Sequence, residues 1–294
     1  MPATPLLDRH FLERLERLTL QWYKSFSGLV GGHHSSRFAG SGQEFLDHRH
    51  FHHGDDLRAV NWRAFLRLEK MFLKMFQVEP RVPVRLLIDT SSSMGTGGGA
   101  KFDYARRLAG ALCYIGLVRL DSMEIHGFAG RLGQRFFCTG GRHRFSAVVD
   151  SLASLRAEGA TDYSAVVREF LSACPQPGLL IVISDFLDDR DCERALQYLA
   201  DFGHELMLIQ VWAGEDRSPP WSGELELVDA ETGSQVRLIF DDDARARYTR
   251  AFDRFAASIE KLAERTGGRY VGVSTATPVE DVVFGSLVRA GGIA

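Results

Sequence analysis

Asp89, Ser91 and Ser93 stand at the spacing D-x-S-x-S, directly after the apolar run Val84-Arg85-Leu86-Leu87-Ile88. One carboxylate and two hydroxyls at that spacing converge on a point just above the run. They form an oxygen-only donor set of the kind that holds a hard divalent cation, Mg²⁺ or Mn²⁺. A run with β-branched members predicts a buried parallel strand. The turn then lies at that strand's carboxyl end, where open α/β sheets place their ligands. Two further stretches offer matching groups. Thr161 sits in Gly159-Ala160-Thr161-Asp162, a loop before a helical pattern, and Asp185 ends a second apolar run, Leu179 to Ser184. The plainer reading makes Asp89, Ser91 and Thr161 turn and helix-cap residues. Against it stands the charge: two carboxylates roughly neutralise a dication and leave a centre that still attracts one more anion.

Asp89, Ser91, Ser93, Thr161 and Asp185 together resemble the metal-ion-dependent adhesion site of von Willebrand factor A domains, in that family's order. The resemblance spans roughly residues 81–294. It implies that the serines and the threonine hold the metal directly or nearly so and that the aspartates act largely through bound water. It also implies that a Glu or Asp from a protein partner takes the open position.

The elements that must position these groups follow from hydrophobic period. Strand and helix patterns alternate from Val84 onward, which predicts a doubly wound, mostly parallel α/β sheet over residues 81–294. Within it, residues 213–243 depart from alternation. Two alternating runs flank Ala230-Glu231-Thr232-Gly233, which predicts an acidic β-hairpin insertion. Residues 1–80 form an appendage. Leu7, Phe11, Leu15, Leu18, Trp22 and Phe26 recur at helical spacing and predict an amphipathic helix over residues 6–26, packed on its own protein.

Other groups with chemical potential are weaker. Six of the ten histidines fall between His33 and His53, without Cys pairing or an H-E-x-x-H pattern. They read either as a zinc or nickel site or as a polar loop or edge strand. Gly95 to Lys101 looks like a phosphate loop, but Ala100 and Phe102 flank Lys101 where a Walker pattern needs Gly and Ser or Thr. The glycines read as a flexible loop beside the site. Ser91 stands where an aspartate-nucleophile phosphatase needs its second aspartate.

His53-Gly54-Asp55-Asp56-Leu57-Arg58-Ala59-Val60-Asn61-Trp62 carries a closer resemblance. G-D-D-x-R-x-x-x-W, then an extended segment, then the D-x-S-x-S strand, is similar to the bacterial proteins of domain-of-unknown-function family 58. Bottom-up, the same stretch reads as a charge-paired tight turn followed by a core tryptophan. The resemblance covers nearly the whole chain from Ser41. It implies partnership with MoxR-type AAA+ ATPases in chaperone-like maturation or assembly of other proteins. Many such relatives carry N-terminal membrane helices. No run of about 18 apolar residues occurs in this chain.

The chain has 294 residues and a formal net charge of −3, which argues against a dedicated nucleic-acid binder. Four scattered cysteines, none at C-x-x-C spacing, read as reduced core residues of a cytoplasmic protein. Three functions compete. The first is a metal-dependent protein-binding module without enzymatic activity. The second is a Mg²⁺-dependent hydrolase using the same site, which lacks an evident general base. The third is a structural protein whose site stays empty.

Overall fold

A computed structural model describes residues 6–22, 44–52, 60–77, 82–187 and 191–294. It contains two compact units, Met1–Lys24 with Val82–Ala294, and Ser25–Arg81. In chain order the elements are α1 (Arg9–Leu15), β1 (Glu44–His50), α2 (Trp62–Leu68), β2 (Phe72–Gln77), β3 (Pro83–Asp89), α3 (Ala100–Val118), β4 (Ser122–Phe128), β5 (Phe136–Cys138), α4 (Phe145–Ser154), α5 (Tyr163–Ala173), β6 (Leu179–Ser184), α6 (Cys192–Asp201), β7 (Glu205–Trp212), α7 (Gly214–Arg217), β8 (Gly223–Val228), β9 (Gln235–Phe240), α8 (Asp242–Arg265), β10 (Arg269–Ser274) and α9 (Val279–Asp281).

The larger unit is built on a six-stranded sheet in the order β10-β7-β6-β3-β4-β5. Neighbours are parallel except for β5, which runs antiparallel to β4 at the edge. The strand order reverses at β3, so the chain winds outward in both directions from that strand. This is the expected doubly wound α/β sheet, and it places the switch point between β3 and β6.

Period-2 alternation sorts the strand residues between two cores. Val84, Leu86, Ile88, Leu179, Ile181, Ile183, Met207 and Ile209 join the core on the α3 side. Leu87, Leu180, Val182, Leu206 and Leu208 join the core beneath α5, α6 and α8. Both faces are covered, which is why β3 and β6 are buried at every position and read as continuous apolar runs. By the same alternation Asp89 and Ser184 fall on the α5 face.

The amino-terminal helix is shorter than the apolar spacing predicted. It starts at Asp8, whose side chain accepts from the Phe11 amide, and ends at Leu15. Beyond it the chain extends, because Thr19 N–H donates to the Ala294 carbonyl and Gln21 N–H to that of Gly292. Leu20 thereby bridges to Ile293. Pairing with the chain's own carboxyl terminus outweighs helix continuation, and it draws α1 into the unit that contains the sheet.

In the smaller unit β1 and β2 pair antiparallel. Asn61 caps α2, accepting from the Ala64 amide. Trp62, expected in a core, is instead 53% exposed. It is the first residue of a seven-residue helix that buries none of its side chains. His33, His34, His53 and the Gly54–Arg58 stretch lie outside the described residues.

Candidate metal centre

Asp89 closes β3 and is fully buried. Its Oδ1 accepts from the Ser91 amide at 2.9 Å, the bond that turns the chain at the strand end. Its Oδ2 accepts from Ser184 Oγ. Ser184 also contacts the Tyr163 hydroxyl at 2.8 Å and accepts from the Phe186 amide at 2.8 Å. Ser91 is buried, and its Oγ lies 2.9 Å from Ser93 Oγ. The two serine hydroxyls of the D-x-S-x-S motif therefore stand together beside the carboxylate.

Backbone bonds fasten the threonine loop to this turn. Ser92 N–H donates to the Gly159 carbonyl at 2.8 Å and Glu158 N–H to that of Thr90 at 2.7 Å. Gly159 adopts φ +88°, a region that disfavours a side chain. Asp162 then caps α5 by accepting from the Ala165 amide. The Thr161 hydroxyl and amide both point at a residue from another part of the chain. Thr161 Oγ1 donates to Glu231 Oε1 at 3.0 Å, and its N–H donates to Glu231 Oε2 at 2.9 Å.

Asp185 follows β6 and is buried. Its Oδ2 accepts from Lys101 Nζ at 2.8 Å. Lys101 Nζ also lies 3.2 Å from Asp216 Oδ2. The Asp185 carbonyl accepts from Gln210, which Tyr270 in turn holds by a 2.6 Å bond. The glycines after the turn are not simply a flexible loop. Gly97, Gly98 and Gly99 hold φ of +61°, +75° and +81° and lead straight into α3. That left-handed run delivers Lys101 to the aspartates.

The electrostatics leave room for a cation. Burial, together with the Asp185 charge, pushes Asp89 up to about 7, and hydrogen bonds from Ser184 and Ser91 offset only part of the rise. For Lys101, burial acts to lower the pKa. The Asp185 and Asp216 charges outweigh it and hold the ammonium above its ordinary value. Lys101 is shared between Asp185 and Asp216, and among the described residues no cation pairs with Asp89. The donor set is oxygen-only, its carboxylate is desolvated, and it sits at a switch point. These features fit a hard dication better than a soft one.

Lys101, Ser184, Tyr163, Asp216 and Glu231 escaped the sequence reading. Lys101 was visible only as a failed phosphate-loop lysine, and Glu231 only as part of a turn. Another cluster was missed as well. Glu124, His126 and Cys174 bring metal-type donor atoms within 4.8 Å of one another, all buried. Arg85 and Arg135 already take the two oxygens of Glu124, at 3.1 and 2.5 Å, so this is a charge-paired cluster.

The doubly wound, mostly parallel sheet defines the class, and this fold matches the layout that the von Willebrand factor A resemblance implied. The chain belongs to the family described as protein of unknown function DUF58, whose pattern matches residues 47–258. Among curated proteins it is similar to uncharacterized protein Rv1480 of Mycobacterium tuberculosis and uncharacterized protein Mb1516 of Mycobacterium bovis. Each is 25% identical over 276 residues, covering 91% of this chain and 86% of the relative. Among solved structures it is similar to the conserved hypothetical protein BatB from Bacteroides thetaiotaomicron, at 16% identity and TM-score 0.42, covering 71% of this chain and 98% of that one. An aerotolerance-related membrane protein from Bacteroides fragilis gives 15% identity and TM-score 0.42 over the same shares. No helix among the described residues is long and apolar enough to cross a membrane.

Proposed function

We propose that this chain is a metal-dependent protein-binding module that acts by docking rather than by turnover. Asp89, Ser91, Ser93, Thr161 and Asp185 would hold Mg²⁺ or Mn²⁺, and a Glu or Asp of a protein partner would complete the shell. The observation that carries the reading is the Asp89 carboxylate, fully buried beside Asp185 within a shell of hydroxyls and, among the described residues, without a cation of its own. A desolvated anion in that position is costly unless a cation or a proton compensates it. The metal, when bound, supplies a Lewis-acidic centre for one carboxylate. The chain's own residues orient it through the Ser91 turn, the Ser184 bond and the Lys101 pair.

The partner favoured by the family resemblance is a MoxR-type AAA+ ATPase, in cytoplasmic, chaperone-like maturation of other proteins. Nucleic acid is not a proposed partner. The test is affinity capture from native lysate, in Mg²⁺ and in EDTA, with wild type and Asp89→Ala. Retention of an AAA+ ATPase by wild type only in Mg²⁺ supports the reading. Identical binding in all four conditions overturns it.

A further inference from the structure

The tip of the β8–β9 hairpin lies on the threonine of the candidate metal centre. Asp229 Oδ1 accepts from the amides of Glu231 and Thr232 at 2.8 and 2.7 Å, which shapes the tip and turns Glu231 inward. Both Glu231 carboxylate oxygens are then engaged by Thr161, one by its hydroxyl and one by its amide. A carboxylate from within the chain thus already lies on the threonine of the candidate site.

The rest of the hairpin is weakly held. Among the described residues, β8 and β9 pair only with each other and join no larger sheet. Leu227, Val236 and Ile239 are exposed. Two-stranded hairpins without a packed face are marginal in water. The base is anchored by Phe240, which is buried, and by Arg245, which donates to the carbonyls of Pro219 and Trp221. At the tip, Thr161 donates two bonds to Glu231 that hold it on the site. A strap with a firm base and a two-bond latch can open without disturbing the core.

We propose that Glu231 is an intramolecular surrogate for the partner's carboxylate, and that the β8–β9 hairpin is a strap closing the site until a competing carboxylate displaces it. The proposal rests on the reading of the site as carboxylate-binding. It assigns that site a regulation. A partner must compete with a tethered glutamate, so weak or solitary carboxylates are excluded and only a partner with further contacts opens the strap.

The test is hydrogen–deuterium exchange on the full chain as wild type, Glu231→Ala and Glu224→Ala, the last removing an exposed glutamate from the same hairpin. Glu231→Ala is expected to speed exchange at the Thr161 amide and across residues 223–240 by about tenfold, the loss of two charge-assisted bonds at a part-exposed latch. Glu224→Ala should match wild type. Exchange in Glu231→Ala within twofold of wild type, as a rough threshold, overturns the strap. Acetate, used as the probe carboxylate with Mn²⁺ present, should slow the Thr161 amide of Glu231→Ala at concentrations that leave wild type unchanged. The same acetate response in both chains overturns the surrogate role. Calorimetric titration of Mn²⁺ separates this inference from the reading beneath it. If neither chain takes up Mn²⁺ while the exchange contrast persists, the metal reading falls and the strap stands. If Mn²⁺ binds and the contrast is absent, the strap falls and the metal reading stands.

Discussion

Lys101 Nζ stands 2.8 Å from Asp185 Oδ2 and 3.2 Å from Asp216 Oδ2, with its side chain 2% exposed. A buried ammonium between two carboxylates is a fixed counter-charge, placed where α3 begins. Removing one partner of a buried pair leaves an uncompensated charge, at a cost of about 3–5 kcal/mol. Lys101→Met is therefore expected to lower unfolding free energy by roughly 3 kcal/mol in denaturant titrations. It should also tighten Mn²⁺ binding, because the dication then meets Asp185 without a competing cation. A variant as stable as wild type, with unaltered Mn²⁺ affinity, would show that the pair contributes nothing.

Asp89 responds in the opposite sense. Its carboxylate is desolvated and faces the Asp185 charge, so the metal-free protein gains little from keeping it ionised. Asp89→Asn is expected to change metal-free stability by less than about 1 kcal/mol, since the amide oxygen still accepts from the Ser91 amide. The stabilisation by Mn²⁺ should vanish. Binding at a hundredfold excess over Kd stabilises by about 2.7 kcal/mol, so wild type should show a clear rise in Tm with Mn²⁺ and Asp89→Asn none. An equal rise in both chains would place the metal elsewhere.

Gly178 sits where the amino ends of β3 and β6 approach closely. A Cβ at Gly178 would lie 2.4 Å from the Pro83 carbonyl oxygen, a backbone atom that no rotamer change can move. Gly178→Ala should cost about 1–3 kcal/mol, as overpacking of a tight contact does. Mn²⁺ binding should be little changed, because Asp89 and Asp185 lie at the opposite, carboxyl ends of the two strands. Thermal melts and a Mn²⁺ titration check both. An unchanged melt would mean that the strand ends relax freely.

What was legible in the chain is what local pattern encodes. The apolar runs of β3 and β6 announced buried strands because both of their faces meet helices. The alternation on either side of Ala230-Glu231-Thr232-Gly233 announced the hairpin. The D-x-S-x-S turn lay within five residues of one strand end, so its grouping of Asp89, Ser91 and Ser93 needed no tertiary information. The partners that act across the fold were hidden. Lys101 and Asp185 are 84 residues apart, and Thr161 and Glu231 are 70 apart. No period or spacing encodes such pairs. The amino-terminal helix ended early for a related reason: the apolar period ran on, but backbone pairing with residues 292–294 won. Trp62 misled because a tryptophan's usual burial does not hold at the exposed start of a short helix.

Glu124 gives the chain an acid-sensitive core. Burial alone would raise its pKa. The adjacent His126 ring and the charges of Arg85 and Arg135 outweigh burial and hold it at about 2. Its folded-state pKa therefore lies below the unfolded value of 4.5. A group shifted in this direction contributes stability that is fully present above the unfolded pKa and is lost as pH falls through the folded one. The window is thus pH 4.5 down to about 2. The shift corresponds to roughly 3 kcal/mol. Denaturant midpoints measured from neutral pH down to about 2 should fall steeply in that window for wild type. Glu124→Gln should begin less stable at neutral pH, with Arg85 left buried and unpaired, and should converge on wild type toward the acid end. Parallel pH profiles for the two chains would show that Glu124 titrates as an ordinary surface carboxylate, and that Arg85 in β3 and Arg135 just before β5 are compensated by something else.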